Sequence, residues 1–331
     1  MRDLLNSYRG AEAFVTGGLG FIGSNLARRL ADLGACVTVL DSMQPEYGGN
    51  RFNLDGYEER LQVRFGDLRD EPALARLVQG QRYVFHLAGQ VSHLDSMRDP
   101  FADLESNCRG QLCLLEACRR HNPRARIVNT STRQVYGRPT RLPVDEGHPL
   151  APVDVNGIHK LAGEAYHTLY HRVHGLRTTS LRLTNTYGPR MRVRDARQMF
   201  LGFWFRRLVE ELPLEVYGDG AQKRDFNYVD DVVDALLFAA ASSNAEGEIY
   251  NLGGTEAVSL LDLAQQMIEL NGGGSFQQVP FPPERKGIDI GDYYASSSRF
   301  RSASGWQPAV GLRDGLSRTL EYYRTHRAHY W

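Results

Sequence analysis

A glycine-rich turn near the N-terminus constrains this chain more than any other feature. The segment from Phe14 to Ser24 reads Phe-Val-Thr-Gly-Gly-Leu-Gly-Phe-Ile-Gly-Ser, follows a short apolar run and opens an amphipathic stretch that continues to Leu30. This pattern predicts a β-strand, a tight turn and a helix N-terminus. Backbone N–H groups of such a turn can approach a pyrophosphate, and the helix dipole favours its negative charge. The residues expected to contact a dinucleotide are Gly17, Gly20, Phe21, Ile22 and Gly23.

An acidic residue at the end of the next apolar run indicates which dinucleotide, NAD or NADP, the chain would bind. Residues 37–40 read Val-Thr-Val-Leu and are followed by Asp41. A carboxylate at this point can accept hydrogen bonds from both ribose hydroxyls and would repel a 2′-phosphate. The sequence therefore predicts NAD, rather than NADP, as the cofactor.

Composition limits the other partners. The 331 residues carry 39 basic and 39 acidic side chains. Because the charges balance, we expect the chain to bind neither nucleic acid nor a membrane surface. The N-terminal residues include an early acid and no extended apolar core, so we expect no secretory signal and a cytoplasmic location.

Strand and helix patterns alternate through the first half of the chain. Strand-like runs near 63–65, 83–86, 125–128 and 178–183 are separated by helix-like stretches near 71–79, 100–121 and 156–174. Alternation of this kind predicts an α/β fold with a doubly wound parallel sheet of the Rossmann type. After Pro189 the glycines and prolines become denser. We therefore expect an NAD-binding domain at 1–185, with a later segment near 225–255 returning to it, and a smaller α/β substrate lobe formed mainly by 186–331.

The cysteines and a histidine triplet do not suggest a metal site. The thiols are expected to be small core residues of a reduced protein: Cys36, Cys108, Cys113 and Cys118. The triplet His167, His171 and His174 has helical spacing without a nearby carboxylate, so a solvated or interface face is the better interpretation.

Several further blocks match one known family. They are Gly66-Asp67-Leu68, His86-Leu87-Ala88-Gly89-Gln90, Ser131-Thr132-Arg133-Gln134-Val135-Tyr136-Gly137, Leu183 to Arg190, Val216 to Phe226 and Tyr250 to Gly254. With the glycine turn and Asp41, they make the chain resemble the extended short-chain dehydrogenase/reductase superfamily, in its branch of NAD-dependent nucleotide-sugar epimerases and dehydratases. The resemblance covers about residues 11–324.

The resemblance implies further cofactor contacts. Asp67 would meet the adenine amino group, and the backbone N–H of Leu68 would meet a ring nitrogen. The run containing Leu87, Ala88 and Gln90 would lie along the cofactor. Lys160 would grip the nicotinamide ribose, and its presence is notable because only three lysines occur in the chain.

The same resemblance implies a site for a nucleotide-diphosphate sugar. Thr132 follows a strand end, where its hydroxyl can bond a sugar oxygen as that oxygen becomes a ketone. Arg224 and Arg285 are forked cations suited to a diphosphate, and Asn185 would bond the same group. Tyr217 would stack on the base or border it.

The chain departs from the family pattern at the catalytic base. Relatives carry Tyr-x-x-x-Lys on a helix, whereas Asn156 stands four residues before Lys160 here. A carboxamide does not titrate near neutral pH, so Asn156 cannot be the base. The remaining candidates are His93, His159, Tyr136, or Thr132 acting through water, and histidine is the better chemical match.

The expected activity is epimerisation of a nucleotide sugar, most simply at C4, with C2 as a possibility. Dehydratase relatives carry Thr-Asp-Glu where this chain has Thr132-Arg133-Gln134, so both eliminating acids are missing. Ketoreduction and a non-catalytic module that binds NAD or a nucleotide sugar remain alternatives because of Asn156. The resemblance also implies a homodimer formed through helices near 100–120 and 156–174. Its candidate apolar positions, which could equally face the sheet, are Leu112, Leu114, Leu115, Ala117, Leu161 and Leu169.

Overall fold

The glycine turn joins the first strand and first helix of a large parallel sheet. The computed structural model describes residues 5–44, 47–196 and 199–331. The strands are β1 (Glu12–Thr16), β2 (Cys36–Asp41), β3 (Leu61–Phe65), β4 (Tyr83–His86), β5 (Arg126–Thr132), β6 (Arg177–Leu183), β7 (Asn185–Tyr187), β8 (Leu214–Tyr217), β9 (Lys223–Tyr228), β10 (Ile249–Leu252), β11 (Ala257–Ser259) and β12 (Phe276–Val279).

Helices occupy the connections between these strands. They are α1 (Phe21–Asp32), α2 (Glu71–Leu77), α3 (His93–Arg98), α4 (Pro100–Leu104), α5 (Gly110–His121), α6 (Val155–His174), α7 (Phe200–Val209), α8 (Val229–Ala241), α9 (Leu260–Asn271), α10 (Pro283–Lys286), α11 (Ser298–Ser304) and α12 (Leu312–His326). The stretch predicted as one helix over 100–121 is interrupted, since a π-helical turn at Glu105–Arg109 joins α4 to α5. None of the helices in the described ranges has the length and apolar character that a membrane span requires.

The predicted doubly wound sheet is confirmed. Its seven strands are all parallel and run in the order β10-β6-β5-β4-β1-β2-β3. The order reverses between β1 and β4, where the connections leave toward opposite sides. In open parallel sheets this reversal opens a crevice at the carboxyl ends of the strands, where ligands bind.

The later part of the chain contributes to both the sheet and a second layer. Strand β10 pairs with β6, and α8 packs against α1 and β5. Strands β11, β9 and β7 form a separate three-stranded sheet, and β12 pairs with β8. A second apolar core forms between α7, α9, α12 and these strands. The division of the chain at residue 185 stays a prediction.

Two expectations about buried side chains need correction. Cys36 is exposed at the start of β2, whereas Cys108, Cys113 and Cys118 are buried as expected. His167 does not lie on a solvated face, because α6 turns it toward the sheet, where it is 1% exposed and its ring lies 6.4 Å from that of His86. Burial lowers the pKa of His167 to about 3, so it is neutral in the folded protein.

Candidate functional site

Two adjoining cavities open at the carboxyl ends of the parallel strands. We call them the first cavity, bounded by the β1–α1 turn, the ends of β2, β4 and β5, and α6, and the second cavity, bounded by β8, β9 and residues 281–290. Four described residues line both: His93, Thr184, Thr186 and Met199. Most of the predicted site residues lie in one or the other.

The glycine turn forms one wall of the first cavity and needs its glycines. Gly17 has φ +69°, and a Cβ there would lie 2.8 Å from the Cα of Ala88. A Cβ on Gly23 would lie 2.1 Å from the carbonyl oxygen of Gly17. Gly20 caps α1 without a side chain, so no side chain covers the N–H groups of the first turn at this end. This geometry fits a pyrophosphate at the helix N-terminus.

Asp41 is held in place at the rim of the same cavity. Its Oδ2 accepts a hydrogen bond from the backbone N–H of Leu19 at 2.9 Å, and its Oδ1 accepts one from Met43 at 2.8 Å. Each oxygen keeps a further lone pair for a ligand. The donor set therefore fits the ribose of NAD.

The far end of the first cavity carries an ion pair that sequence reasoning missed. Asp67 lines the cavity, but Arg69 donates to both its oxygens, at 2.9 and 2.7 Å. These hydrogen bonds lower the pKa of Asp67. Leu68, Leu87 and Ala88 line the cavity as predicted.

Gln90 was expected beside the cofactor, and the structure places it elsewhere. Its side chain is 1% exposed and does not line either cavity. Its Nε2 donates to the carbonyl oxygen of Ser92 at 2.8 Å, and its Oε1 accepts from Asn156 Nδ2 at 3.3 Å. A buried amide takes the partners that satisfy it, and here these lie behind the cavity wall.

Lys160 and Asn156 project from α6 into the wall of the first cavity. The Nζ of Lys160 donates to the carbonyl oxygen of Thr130 at 3.3 Å, and burial lowers the pKa of this lysine against the raising effect of Asp103. The Nδ2 of Asn156 donates backward, to the carbonyl oxygen of Gln90 at 2.9 Å and to Asp103 Oδ2 at 3.1 Å. Asn156 thus belongs to a buried hydrogen-bond network behind the cavity.

Two of the candidate bases lie outside both cavities. His159 turns away from Lys160, and its Nδ1 lies 2.6 Å from Asp103 Oδ1. The hydroxyl of Tyr136 is 2.6 Å from both Asn251 Oδ1 and Arg182 Nη1, and burial raises its pKa. The geometry therefore favours neither as a proton acceptor for a ligand in these cavities.

His93 lies where a base would be needed. It begins α3 and lines both cavities, and its Nδ1 lies 3.0 Å from Asp154 Oδ2, a close approach that does not have the geometry of a hydrogen bond. Asp154 is the N-cap of α6, with Oδ1 2.6 Å from the N–H of Gly157, and Gln134 Nε2 donates to its Oδ2 at 2.7 Å. Burial would raise the pKa of Asp154, but its contacts with His93 and Gly157 outweigh burial and lower it.

Thr132 lies at the end of β5, two residues before Gln134, the side chain that donates to Asp154. It lines the first cavity, and its hydroxyl oxygen accepts from the N–H of Gln134 at 3.3 Å, which caps the turn that follows. The hydroxyl proton is not used by that contact and can be donated to a ligand oxygen.

The second cavity collects the predicted substrate residues Asn185, Tyr217, Arg224 and Arg285. Arg224 donates to the carbonyl oxygens of Lys223 and Gly291, and burial lowers its pKa to about 10. The guanidinium of Arg285 lies 6.0 Å over the ring of Tyr217, whose ring centroid is 5.6 Å from that of Phe281. The two tilted rings of Tyr217 and Phe281, which we call the aromatic slot, therefore lie beside two cations.

Sequence reasoning assigned no role to two side chains of this site. Asp154 could have been found as a helix N-cap, because an Asp precedes the predicted helix near 156. Arg133 lies within a recognised motif, but nothing in the motif shows that its guanidinium lines the second cavity.

Comparisons with known proteins agree with this geometry. Residues 13–253 match the family model described as the NAD dependent epimerase/dehydratase family. The chain is 33% identical to a dTDP-glucose 4,6-dehydratase of Streptomyces niveus, over 95% of this chain and 93% of that protein. It is 31% identical to a putative UDP-glucose 4-epimerase of Methanocaldococcus jannaschii, over 94% and 97%. The crystal structure of DesIV, a dTDP-glucose 4,6-dehydratase from Streptomyces venezuelae with NAD bound, superposes with a TM-score of 0.87 at 30% identity, over 96% and 98%.

Proposed function

Because the chain belongs to the NAD-dependent epimerase/dehydratase family, we propose that it is a nucleotide-diphosphate-sugar epimerase acting at C4. The observation that carries the proposal is the position of His93. Of the four residues lining both cavities, it is the one with an acid–base side chain, and the buried carboxylate of Asp154 orients it.

The first cavity would hold the cofactor. NAD, when bound, accepts a hydride from a sugar carbon and returns it to the opposite face. The turn from Gly17 to Gly23 would bind its pyrophosphate, Asp41 a ribose, and Lys160 the ribose next to the nicotinamide. Each of these groups lines the cavity, and the exposed N–H groups at the start of α1 supply the anion site.

The protein's part in the chemistry is proton transfer. His93 Nε2 would take the proton of the C4 hydroxyl and later return it, while Nδ1 stays against Asp154. A carboxylate so placed fixes the ring orientation and stabilises the protonated imidazole. Thr132 would donate a hydrogen bond to the same sugar oxygen.

The second cavity would hold the rest of the substrate. Arg224, Arg285 and Asn185 would bind the diphosphate, and Tyr217 would border the base. A paired arginine fork matches phosphate oxygens in geometry as well as charge.

Dehydration is the less favoured alternative, although relatives with that activity are as similar as the epimerases. Elimination of water requires an acid and a base near the departing hydroxyl. Arg133 stays protonated, and the amide of Gln134 is engaged by Asp154 at 2.7 Å. Epimerisation at C2, ketoreduction and a purely binding role remain outcomes that the experiment distinguishes.

The test is product analysis with the NAD-loaded protein. UDP-glucose and dTDP-glucose would be incubated separately and followed by proton NMR, which separates a C4 epimer from a 4-keto-6-deoxy sugar or a C2 epimer. We expect the C4 epimer. A 4-keto-6-deoxy product would establish a dehydratase, and tight binding of nucleotide sugars without product from any of them would establish a binding module.

The role of His93 has its own variant. His93→Asn is expected to lower kcat by about 10²- to 10⁴-fold, the usual contribution of a positioned general base. His121→Asn, at an exposed position on α5, is the matched control and should change kcat by less than about twofold. If His93→Asn keeps kcat within about threefold of the wild type, the base lies elsewhere.

We also propose a homodimer. The apolar positions Leu114, Leu115 and Ala117 are buried in the core and cannot form its interface. Other apolar side chains on α4 and α6 are exposed: Phe101 at 76%, Leu104 at 39%, Ile158 at 51%, Leu169 at 51% and Val173 at 63%. Several large apolar side chains exposed on two helices are typical of an interaction surface. Sedimentation equilibrium of the wild type and of Phe101→Glu would test it, with a monomeric wild type as the contradicting result.

A further inference from the structure

Arg133 is a cation in the wall of the second cavity. It follows Thr132 directly, in the turn at the end of β5, and lines the cavity together with Gln134, His93 and Asn185. It thus adjoins Thr132 in the chain and shares the wall of the second cavity with His93, and the proposed function places both of these residues at the sugar ring.

Its guanidinium lacks a partner among the residues that the structure describes. The Nε is buried and makes no hydrogen bond, and no carboxylate of the described chain forms an ion pair with this side chain. The nearest ring is that of Tyr293, 6.0 Å from the guanidinium carbon. The residue is partly exposed and lines the cavity, and its two Nη groups are not among the buried atoms without a partner, so they can meet an anion that enters the cavity.

The neighbouring acids are engaged by other groups. Asp154 contacts His93 and Gln134, and Asp289 accepts from Gln222 and Arg224. Asp225 accepts two backbone N–H groups at its Oδ2, from Gly254 and Ala295, each at 3.1 Å. Its Oδ1 is buried and makes no hydrogen bond, so a structural pairing of Arg133 with Asp225 is the competing explanation that the experiment must separate.

Arg133 adds a third cation to the two that the proposed function assigns to the diphosphate. Arg224 and Arg285 supply two forked cations to the same cavity, Arg285 over the ring of Tyr217, and Arg133 is near enough to Arg224 for their charges to repel. Arg133 instead follows Thr132, which borders the first cavity where the reacting carbon must meet the cofactor. A negative charge carried by the sugar itself would match this third cation.

We propose that Arg133 binds a carboxylate on the sugar, so that the substrate is a nucleotide-diphosphate-linked acidic sugar of the uronate class. A planar guanidinium and a planar carboxylate form two parallel hydrogen bonds, which a neutral hydroxymethyl group cannot reproduce. The inference rests on the proposed function, because it takes the second cavity to be the sugar site.

Binding selectivity tests the proposal without any turnover. Calorimetry of the NAD-loaded protein would measure the affinities of UDP-glucuronate, UDP-glucose and UDP, and of the three corresponding thymidine nucleotides. The comparison is then made within the nucleotide series that binds more tightly. We expect the glucuronate to bind about 10- to 100-fold more tightly than the glucose, the range of a charge-assisted pair. Equal binding, tighter binding of glucose, or no binding in either series overturns the proposal.

The variant Arg133→Met locates the selectivity. It should bring the glucuronate-to-glucose ratio to within about threefold of one while leaving the affinity for UDP unchanged. A parallel loss for all three ligands would show that Arg133 binds the diphosphate or supports the fold, and an unchanged ratio would place the carboxylate elsewhere. The exposed Arg141→Met is the matched control. If Arg133→Met does not fold, the same glucuronate-to-glucose ratio is measured for Arg133→Gln. If the wild type shows the expected binding selectivity but no turnover in the NMR assay, only the assignment as an epimerase is contradicted.

Discussion

The two cavities recognise their ligands by different means. The first is walled by backbone: three glycines of the β1–α1 turn, the uncapped start of α1 and the strand end at Asp41. The second is walled by charged and aromatic side chains drawn from residues 93 to 290, with Arg133, Arg224 and Arg285 among them. Backbone geometry leaves a short motif in the sequence, whereas a constellation of distant side chains does not. The residues of the first cavity therefore identify the family, whereas the side chains of the second cavity would determine which substrate this protein binds.

The largest expected effect belongs to the backbone-walled cavity. Asp41→Asn should reduce the preference for NAD over NADP by about 10²-fold, because it removes the negative charge that repels a 2′-phosphate. Fluorescence titration with both dinucleotides would measure the ratio.

Asp314→Asn, at an exposed ion pair on α12, is the control for this change. An unchanged NAD-to-NADP ratio in Asp41→Asn would mean that the rim of the first cavity does not read the ribose, and the contrast between the cavities would lose its basis.

Substitution of Asn156 by tyrosine tests whether the first cavity differs from that of its relatives only by the loss of the catalytic phenol. Asn156→Tyr should lower the free energy of unfolding by about 1–3 kcal/mol, since the acceptors on Gln90 and Asp103 would lose their donor. It should also fail to raise kcat. Urea denaturation and the NMR assay would measure both quantities. A gain in kcat would show that the site still expects a tyrosine and that His93 is dispensable.

The sequence predicted the parallel sheet, the glycine turn and the cavity positions of Asp41, Thr132 and Lys160, because each depends on local pattern or on motif spacing. It could not place Gln90, whose partners Ser92 and Asn156 depend on how α3 meets α6. It missed the ion pair of Asp67 with Arg69 and the contact of His93 with Asp154. Such pairings depend on tertiary packing, which no single segment encodes.

Behind the first cavity, a buried histidine predicts a pH effect on stability. Both ring nitrogens of His167 lack hydrogen-bond partners in the described structure, and burial lowers its pKa to about 3. The unfolded chain therefore binds the extra proton between about pH 6.5 and pH 3, and stability falls as the pH falls through that window.

His167→Leu should reduce the slope of unfolding free energy in that window by up to about 1.4 kcal/mol per pH unit, with little change at pH 7. Denaturant titrations between pH 7 and 4 would measure it, with His121→Leu as an exposed control. An unchanged slope would mean that His167 is protonated in the folded protein as well.

The smallest effect is expected from the aromatic slot of the second cavity. The ring of Tyr217 is tilted against that of Phe281 and lies under Arg285, and it would border the base of the nucleotide. Tyr217→Leu should weaken UDP by about 3- to 10-fold and leave NAD affinity and the glucuronate-to-glucose ratio unchanged, because stacking is worth about 0.5–1.5 kcal/mol. Calorimetry on the NAD-loaded protein would measure all three. A change in NAD affinity would show that the two cavities are coupled. A change in the glucuronate-to-glucose ratio would show instead that the aromatic slot holds the sugar and that Arg133 holds the nucleotide. The substrate would then lie in the second cavity in the reverse orientation.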